Sequence, residues 1–115
     1  MDLYTTILNL AGVSLPDRPV DGLDIWPVLS EDAASPHAYY HYFLVDMIQG
    51  VRDKDWKLRM LPNEDGDPTV LLFDLHNDPY ERYDVANENP EIVSRLKEEM
   101  VRFAEETGAK LASEP

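Results

Sequence analysis

The sequence predicts an α+β fold: a small four-stranded antiparallel sheet packed against a C-terminal helix, preceded by a short N-terminal helix and a proline-rich linker. Aromatic and β-branched runs separated by turn residues fill the middle of the chain. A long segment near the C terminus repeats apolar residues at three- and four-residue steps. We expect residues 1–36 to form the N-terminal helix and linker, residues 37–108 the sheet and its helix, and residues 109–115 a frayed tail.

The N-terminal helix begins near Asp2, a candidate cap, and stops at Gly12. Its apolar residues recur at helical spacing: Leu3, Ile7, Leu10 and Ala11. A helix of about ten residues is marginal alone, so this apolar stripe needs a partner from elsewhere. Prolines interrupt the linker that follows, where we expect one short helical turn near residues 24–29, anchored by Ile25 and Trp26.

Four strands are expected in the runs AYYHYFLV, MIQGVR, WKLRML and TVLLFDL. Residues 53–55 make a tight connection between the second and third strands, and residues 62–68 make a longer hairpin loop between the third and fourth. Trp56, Leu58 and Met60 alternate with more polar neighbours, which predicts one packed and one wetter sheet face.

The long helix begins at Asn89, a cap, and Pro90, a first helical position, and it ends at Gly108. Its apolar stripe is wide enough to cover one face of the sheet, and it contains Val93, Leu96, Met100 and Phe103. We expect the acidic residues of this helix to form its solvated face: Glu98, Glu99, Glu105 and Glu106.

Composition excludes several classes of partner and site. The chain has 115 residues and a net charge of −13, which provides no basic footprint for nucleic acid or anionic lipid. It contains no Cys, so it forms no disulfide, thiolate zinc site or thiol nucleophile. No apolar run reaches the length of a membrane span and no signal segment opens the chain, so we expect a soluble protein of undetermined compartment.

The stretch LLFDLHNDPYERYDVANENP, residues 71–90, has two interpretations. Its acidic residues could form a calcium or magnesium site, but the spacing does not match an EF-hand loop. The alternative is a turn at residues 77–79 in which Asp side chains accept hydrogen bonds from backbone amides, between the last strand and the helix. The pattern favours the turn, here and in the acidic loop at residues 63–67.

Several segments together resemble the sulfatase family. DLYTTILNLAGVSLPDRPVDGLDIWPVL resembles the segment that closes the large sulfatase domain, commonly DLYPTLLxLAGxxxPxxxxDGxSLxPLL. SPHAYYHYF, GVRDKDWKLRM and LLFDLHNDPYERYDVANENPEIVSRL resemble the small C-terminal subdomain. The resemblance runs from Asp2 to about Phe103. Thr5, Phe73 and Asp84 depart from the usual Pro, Tyr and Asn.

The resemblance implies catalytic parts that this sequence does not carry. Sulfatases use a formylglycine made from Cys or Ser in a CxPSR-type motif, beside a calcium ion held by the large domain. The segment from Ser14 to Arg18 matches that motif only superficially, because Asp17 stands where Ser is expected. We therefore expect no catalytic residue, metal ligand or cofactor in this chain, and we expect calcium and formylglycine only in a missing N-terminal catalytic domain.

The resemblance also places the end of the first strand and the following turn near the mouth of the catalytic cleft. His41, Asp46 and Gln49 are the candidates for bordering the substrate pocket. The alternative is structural: His41 as a sheet-face residue and Asp46 as a turn former. The adjacent aromatic run, Tyr39 to Phe43, could stack on carbohydrate or could pack as a strand under the C-terminal helix.

The leading hypothesis is a C-terminal fragment or subdomain of a sulfatase-type sulfuric ester hydrolase, structural and pocket-bordering, and inactive without the catalytic domain. The alternative is a stand-alone interaction module that buries its apolar surfaces by self-association. An independent metal-binding protein that uses the acidic loops is a third hypothesis.

Overall fold

A computed structural model of the protein describes residues 1–63 and 66–112. Its contacts divide the chain into two compact units, the first comprising Met1–Ala38 and the second beginning at Tyr39. The predicted correspondence of residues 1–36 and 37–108 to two parts of a sulfatase stays a prediction. None of the helices in the described residues combines the length and the hydrophobicity of a membrane-spanning segment.

The first unit contains two helices, α1 (Asp2–Leu10) and α2 (Trp26–Glu31). Both elements were predicted, but Asp2 is not a cap: it is the first helical residue, and its carboxylate accepts a hydrogen bond from the Leu23 amide at 3.0 Å. The Asp2 carboxylate bonds to Leu23 because the returning linker passes beside the start of α1. Gly12 follows the helix with φ of 67°, a conformation that glycine adopts without steric cost.

The second unit is a sheet with one long helix on it. Its four predicted strands are β1 (Tyr40–Leu44), β2 (Met47–Arg52), β3 (Trp56–Leu61) and β4 (Thr69–Asp74), in that order and all antiparallel. The helix α3 (Pro90–Thr107) follows after a short 3₁₀ turn at Ala86–Glu88. The α+β fold that the sequence predicts is confirmed.

The core lies between α3 and one face of the sheet. Its side chains with no exposed surface are Ile48, Val51, Leu58, Leu72, Leu96 and Met100. Val93 and Phe103 pack at the edge of this cluster, as the helical spacing predicts. Asn89 stands at the start of α3, but its side-chain amide donates to the Val85 carbonyl at 3.0 Å and does not cap the helix.

The end of the chain differs from the expected frayed tail. Lys110–Leu111 form a short strand, β5, that pairs in parallel with Met47 and Ile48 of β2. Ala112 is buried in the core, so this segment is ordered by backbone pairing and apolar contact together. Residues 113–115 of the expected tail lie outside the described part of the chain.

Candidate functional site

His41 lies in the middle of β1, on the face that α3 covers. Its ring stacks on the Phe103 ring, with centroids 3.8 Å apart and planes 12° from parallel. The His41 side chain is 10% exposed. Burial lowers the pKa of His41, and the nearby Glu99 carboxylate opposes this effect only in part. The neutral imidazole is therefore the form that the folded protein favours.

The prediction that Glu99 belongs to the solvated face of α3 is wrong, because this residue is buried. Its side chain is 8% exposed, because it lies beside His41 at the edge of the sheet. Arg102 donates two hydrogen bonds to the Glu99 carboxylate, from Nε to Oε2 at 3.0 Å and from Nη2 to Oε1 at 2.7 Å. A two-point guanidinium contact of this kind compensates a buried carboxylate.

The contact between His41 and Glu99 is close but incomplete. His41 Nε2 is 3.4 Å from Glu99 Oε1. Nε2 is nevertheless buried without a hydrogen-bond partner among the described residues. We treat the pair as an electrostatic contact. The arrangement supports a structural role for His41, in which its ring fills space between β1 and α3.

Asp46 lies at the tip of the hairpin between β1 and β2 and is 63% exposed. Its carboxylate lies 3.2 Å from Lys110 Nζ, and its carbonyl accepts a hydrogen bond from the Lys110 amide at 3.0 Å. The Lys110 side chain lowers the pKa of Asp46. The preceding residue, Val45, has φ of 58° and is 93% exposed, which is unusual for a β-branched side chain.

Gln49 is the extra residue of a β-bulge. Phe43 pairs with Ile48 and Tyr42 pairs with Gly50, so Gln49 has no partner across β1. Bulges change which way the following side chains face, and they are frequent beside active sites. The structure does not bring the three pocket candidates together through any direct contact: His41 is under α3, Asp46 is at the hairpin tip, and Gln49 is in the bulge.

The carboxylates after β4 hold the backbone of a turn. Asp74 accepts hydrogen bonds from the amides of His76 and Asn77, and Asp78 accepts from the amides of Arg82 and Tyr83. This is the turn geometry that the sequence favoured. Across residues 1–63 and 66–112, no group of three or more His, Cys, Asp or Glu side chains is placed to hold a metal ion.

Asp84 continues the same pattern. Its carboxylate accepts hydrogen bonds from the Leu72 amide at 2.9 Å and from the Ala86 amide at 3.0 Å. The Val85 amide then donates to the Leu72 carbonyl. Asp74, Asp78 and Asp84 therefore fix the path between β4 and α3, because each of these carboxylates accepts hydrogen bonds from backbone amides.

Helix α1 buries its polar side and exposes its apolar side. Thr5 and Thr6 are 4% and 3% exposed, and their hydroxyls bond the returning linker at the Gly22 carbonyl and the Ile25 amide. The predicted apolar stripe faces outward, with Leu3, Ile7 and Leu10 between 56% and 62% exposed. A helix whose leucine and isoleucine side chains are solvated has an unsatisfied packing face.

Sequence reasoning missed one further surface, on the side of the sheet opposite α3. Arg52 and Lys57 are direct partners across β2 and β3, and Arg59 follows two residues later on β3. Alternation along β3 already placed these residues away from the packed face. The register that brings them beside Tyr42 was not readable from the sequence, since it depends on the bulge at Gln49.

The sequence and fold match known proteins along most of the chain. Residues 1–106 match the family model described as N-sulphoglucosamine sulphohydrolase, C-terminal. An arylsulfatase of Hemicentrotus pulcherrimus is 34% identical, and the match covers 72% of this chain and 21% of that protein. Human arylsulfatase A is 29% identical, with 85% of this chain and 25% of that protein covered. The chain thus spans about a fifth to a quarter of the length of these relatives.

The fold is also similar to parts of larger proteins whose structures have been solved. A structure from work on glycosaminoglycan metabolism by Bacteroides thetaiotaomicron superposes with a TM-score of 0.71 at 21% identity, covering 89% of this chain and 24% of that one. A protein solved with its substrate D-glucosamine-2-N,6-O-disulfate superposes with a TM-score of 0.66 at 25% identity, covering 90% and 23%.

Proposed function

The chain belongs to the N-sulphoglucosamine sulphohydrolase C-terminal family, and from this premise we propose that it is the non-catalytic C-terminal part of a sulfatase-type sulfuric ester hydrolase. In this role it does not cleave sulfate esters alone and works with an N-terminal catalytic domain, in the same polypeptide or as a partner. One observation carries the proposal: the chain matches a C-terminal family model while spanning about a fifth to a quarter of its relatives.

The sulfatase family implies a calcium ion and a formylglycine in the catalytic domain. The donor set of this chain does not fit either group. It has no Cys to convert, and the segment from Ser14 to Arg18 carries Asp17 where the motif has Ser. The carboxylates of Asp74, Asp78 and Asp84 are occupied by backbone amides. A ligand carboxylate would have to give up those bonds, which hold the turn after β4. We propose that the chain contributes structural support and a border for the pocket.

The outward apolar face of α1 supports docking on a catalytic domain. The face comprises Leu3, Ile7 and Leu10, all more than half exposed. Burying one such side chain stabilises an interface by about 1.5 to 3 kcal/mol. The relatives carry three quarters or more of their length outside the matched region, which is ample chain to cover this face. We assign the missing cover to that catalytic portion.

The docking role is tested by co-expressing this chain with the N-terminal portion of a sulfatase and measuring the affinity of the complex. Ile7→Ser is expected to weaken the complex by roughly tenfold or more, because it removes a buried apolar contact. Val101→Ser is the control, since Val101 is an exposed apolar residue of α3. Equal effects of the two substitutions would contradict docking through α1.

The pocket-bordering role belongs to the hairpin between β1 and β2. Asp46 is exposed at its tip, and Gln49 occupies the bulge beside it. Both can reach a ligand without disturbing the core. His41 contributes indirectly, since its buried ring holds β1 against α3. The substrate that we propose is a sulfated carbohydrate, by analogy with the neighbour that was solved with a disulfated glucosamine.

Self-association is the second candidate, and the same exposed face of α1 favours it. In that case two copies would cover each other without a catalytic domain. The solution mass of the isolated chain discriminates the two candidates. A dimer that Ile7→Ser converts to a monomer would favour self-association, and a monomer at high concentration would exclude it.

A further inference from the structure

The sheet face opposite α3 combines aromatic rings with positive charge. We define this open face by five residues: Tyr40, Tyr42, Arg52, Lys57 and Arg59. The strand register arranges them in two rows across β1, β2 and β3. One row runs from Tyr40 through Arg52 to Lys57, and the other runs from Tyr42 through Gly50 to Arg59. Side chains in such rows are close neighbours on one face of the sheet.

The aromatic part of the open face is partly solvated. The Tyr40 and Tyr42 rings meet edge to face, with centroids 5.0 Å apart. Lys57 Nζ lies 4.6 Å above the centroid of the Tyr42 ring. Tyr40 remains 52% exposed, so its ring is available to a ligand. The structure thus divides the aromatic run of β1: His41 and Phe43 contact Phe103, while Tyr40 and Tyr42 lie on the open face.

Among the described residues, two of the three positive charges of the open face have no carboxylate partner. Arg52 and Lys57 are directly opposite each other, and like charges in such pairs are destabilising. Lys57 is neutralised by Glu81, at 2.6 Å. The Arg52 Nε donates to the Asp53 carbonyl at 3.2 Å, and this uncharged group is its one acceptor in residues 1–63 and 66–112. Arg59 has no hydrogen-bond or ion-pair partner in the part of the chain that the structure describes.

The lack of carboxylate partners for Arg52 and Arg59 among the described residues contrasts with the acidic composition of the chain. Acidic residues outnumber Lys and Arg by 23 to 10, so carboxylates to pair with two guanidinium groups are plentiful. A local arrangement that breaks a pairing rule without internal compensation points to a functional surface. Because the described residues supply no carboxylate to Arg52 or Arg59, a negatively charged ligand that joins the open face from outside would balance this charge.

Gly50 shapes the centre of this face. A Cβ atom at Gly50 would lie 2.7 Å from the Leu58 carbonyl oxygen, so no side chain fits there. The same atom would be 3.7 Å from Arg59 Cγ, which shows that Arg59 lies beside the position without a side chain. The row from Tyr42 to Arg59 consequently has no side chain at its centre, and the Arg59 side chain lies beside that position.

We propose that the open face binds a sulfated carbohydrate chain, with Arg52 and Arg59 contacting sulfate groups and Tyr40 stacking on a sugar ring. A guanidinium group matches a tetrahedral oxyanion with two parallel hydrogen bonds, and it is more easily desolvated than an ammonium. The Tyr40 ring supplies a flat apolar surface on which the apolar face of a pyranose ring can stack. An acidic peptide would use the arginines but not the exposed ring.

This inference rests on the proposed function, because it takes the substrate class from there. It adds a binding surface for the part of the ligand remote from the reacting ester. The surface lies entirely within the second unit, so binding needs only the present chain. The experiment below contains no catalytic domain, and its failure leaves the proposed function standing. Likewise, a catalytic result says nothing about the open face.

The test is calorimetric titration of the 115-residue chain with a heparin tetrasaccharide, the same tetrasaccharide after chemical desulfation, and sodium sulfate. We expect binding of the sulfated tetrasaccharide that weakens as salt is raised, and much weaker binding of the other two probes. Arg59→Gln should lower the affinity by roughly tenfold, since a charge-assisted contact is lost. Tyr40→Ala should lower it as well.

Lys97→Gln is the matched control, because it removes one positive charge from α3 and leaves the open face unchanged. Arg59 makes no ion pair in the described chain, so Arg59→Gln should fold normally, which a thermal melt checks. Equal losses for Arg59→Gln and Lys97→Gln would overturn the proposal, as would equal binding of the desulfated sugar or no binding at all. Tighter binding of a glutamate peptide than of the tetrasaccharide would replace the carbohydrate with an acidic protein surface.

Discussion

The imidazole of His41 lies flat against the phenyl ring of Phe103, with ring centroids 3.8 Å apart, and this contact joins the edge strand β1 to the helix α3. The charged groups that face the imidazole all come from α3: Glu99, Arg102 and Glu106. Burial nevertheless has the larger effect, so the pKa of His41 is lowered. The stability of the second unit should therefore depend on pH through His41.

We expect the free energy of unfolding to fall as pH falls below about 6.5, the ordinary pKa of histidine. The folded-state pKa of His41 is lowered, so the unfolded chain binds the proton first between the two values. The stabilisation is complete above the unfolded pKa and is lost as pH falls through the folded one. We measure the free energy of unfolding in urea at several pH values between 7.5 and 5. This free energy should change less with pH for His41→Phe than for the parent chain.

His76→Gln is the control for that measurement, because it removes an exposed histidine from the turn after β4. Its profile should follow that of the parent chain. A His41→Phe profile as steep as the parent's would show that another group causes the acid sensitivity.

Glu99 and Glu106 allow a matched comparison, since both bond the same Arg102 side chain. Glu99 is 8% exposed and Glu106 is 57% exposed. Glu99→Gln should destabilise the chain by about 1 to 2 kcal/mol, because a buried charge-assisted contact is lost. Glu106→Gln should change stability little, since exposed pairs are screened by water. Chemical unfolding measures both, and equal effects would show that the burial of Glu99 is unimportant.

Gly50→Ala should destabilise the second unit strongly. The new methyl group would lie 2.7 Å from the Leu58 carbonyl oxygen, so β2 and β3 would have to separate. Gly108→Ala is the control, because a Cβ there meets nothing within 4 Å and only the φ of 72° is unfavourable. We expect about 1 to 2 kcal/mol for Gly108→Ala and a larger loss for Gly50→Ala. The reverse order in thermal melts would contradict the register at Gly50.

Val45→Asn should stabilise the hairpin between β1 and β2. Val45 has φ of 58° and is 93% exposed, so the substitution relieves backbone strain and removes little packing. Asparagine tolerates this conformation, and we expect a gain of about 1 kcal/mol. An unchanged or lower melting temperature would show that Val45 has contacts that stabilise its strained backbone.

Much of the second unit was predictable because its signals are local. Aromatic and β-branched runs between turn residues located the strands, and the three- and four-residue spacing of Leu96 and Met100 located α3. Glu99 was misjudged because its burial comes from His41, which is 58 residues away in the sequence and is brought near only by folding. The strand β5 was missed because two residues carry no periodicity.

The candidate site was predictable in part for the same reason. The turn chemistry of Asp74 and Asp78 follows from short-range residue preferences, and the structure confirms it. The exposed stripe of α1 was expected to need a partner, and it is solvated in the structure. The open face could not be predicted from the sequence, because the pairing of Arg52 with Lys57 and the bulge at Gln49 are properties of strand register.

The most direct test of the central claim is a sulfate-release assay with an aryl sulfate, run on the isolated 115-residue chain and on the same chain joined behind a sulfatase catalytic domain. The joined protein should release sulfate, and its activity should fall when the 115 residues are deleted. The isolated chain should release none. Sulfate release by the isolated chain, abolished by a substitution within it, would contradict the account.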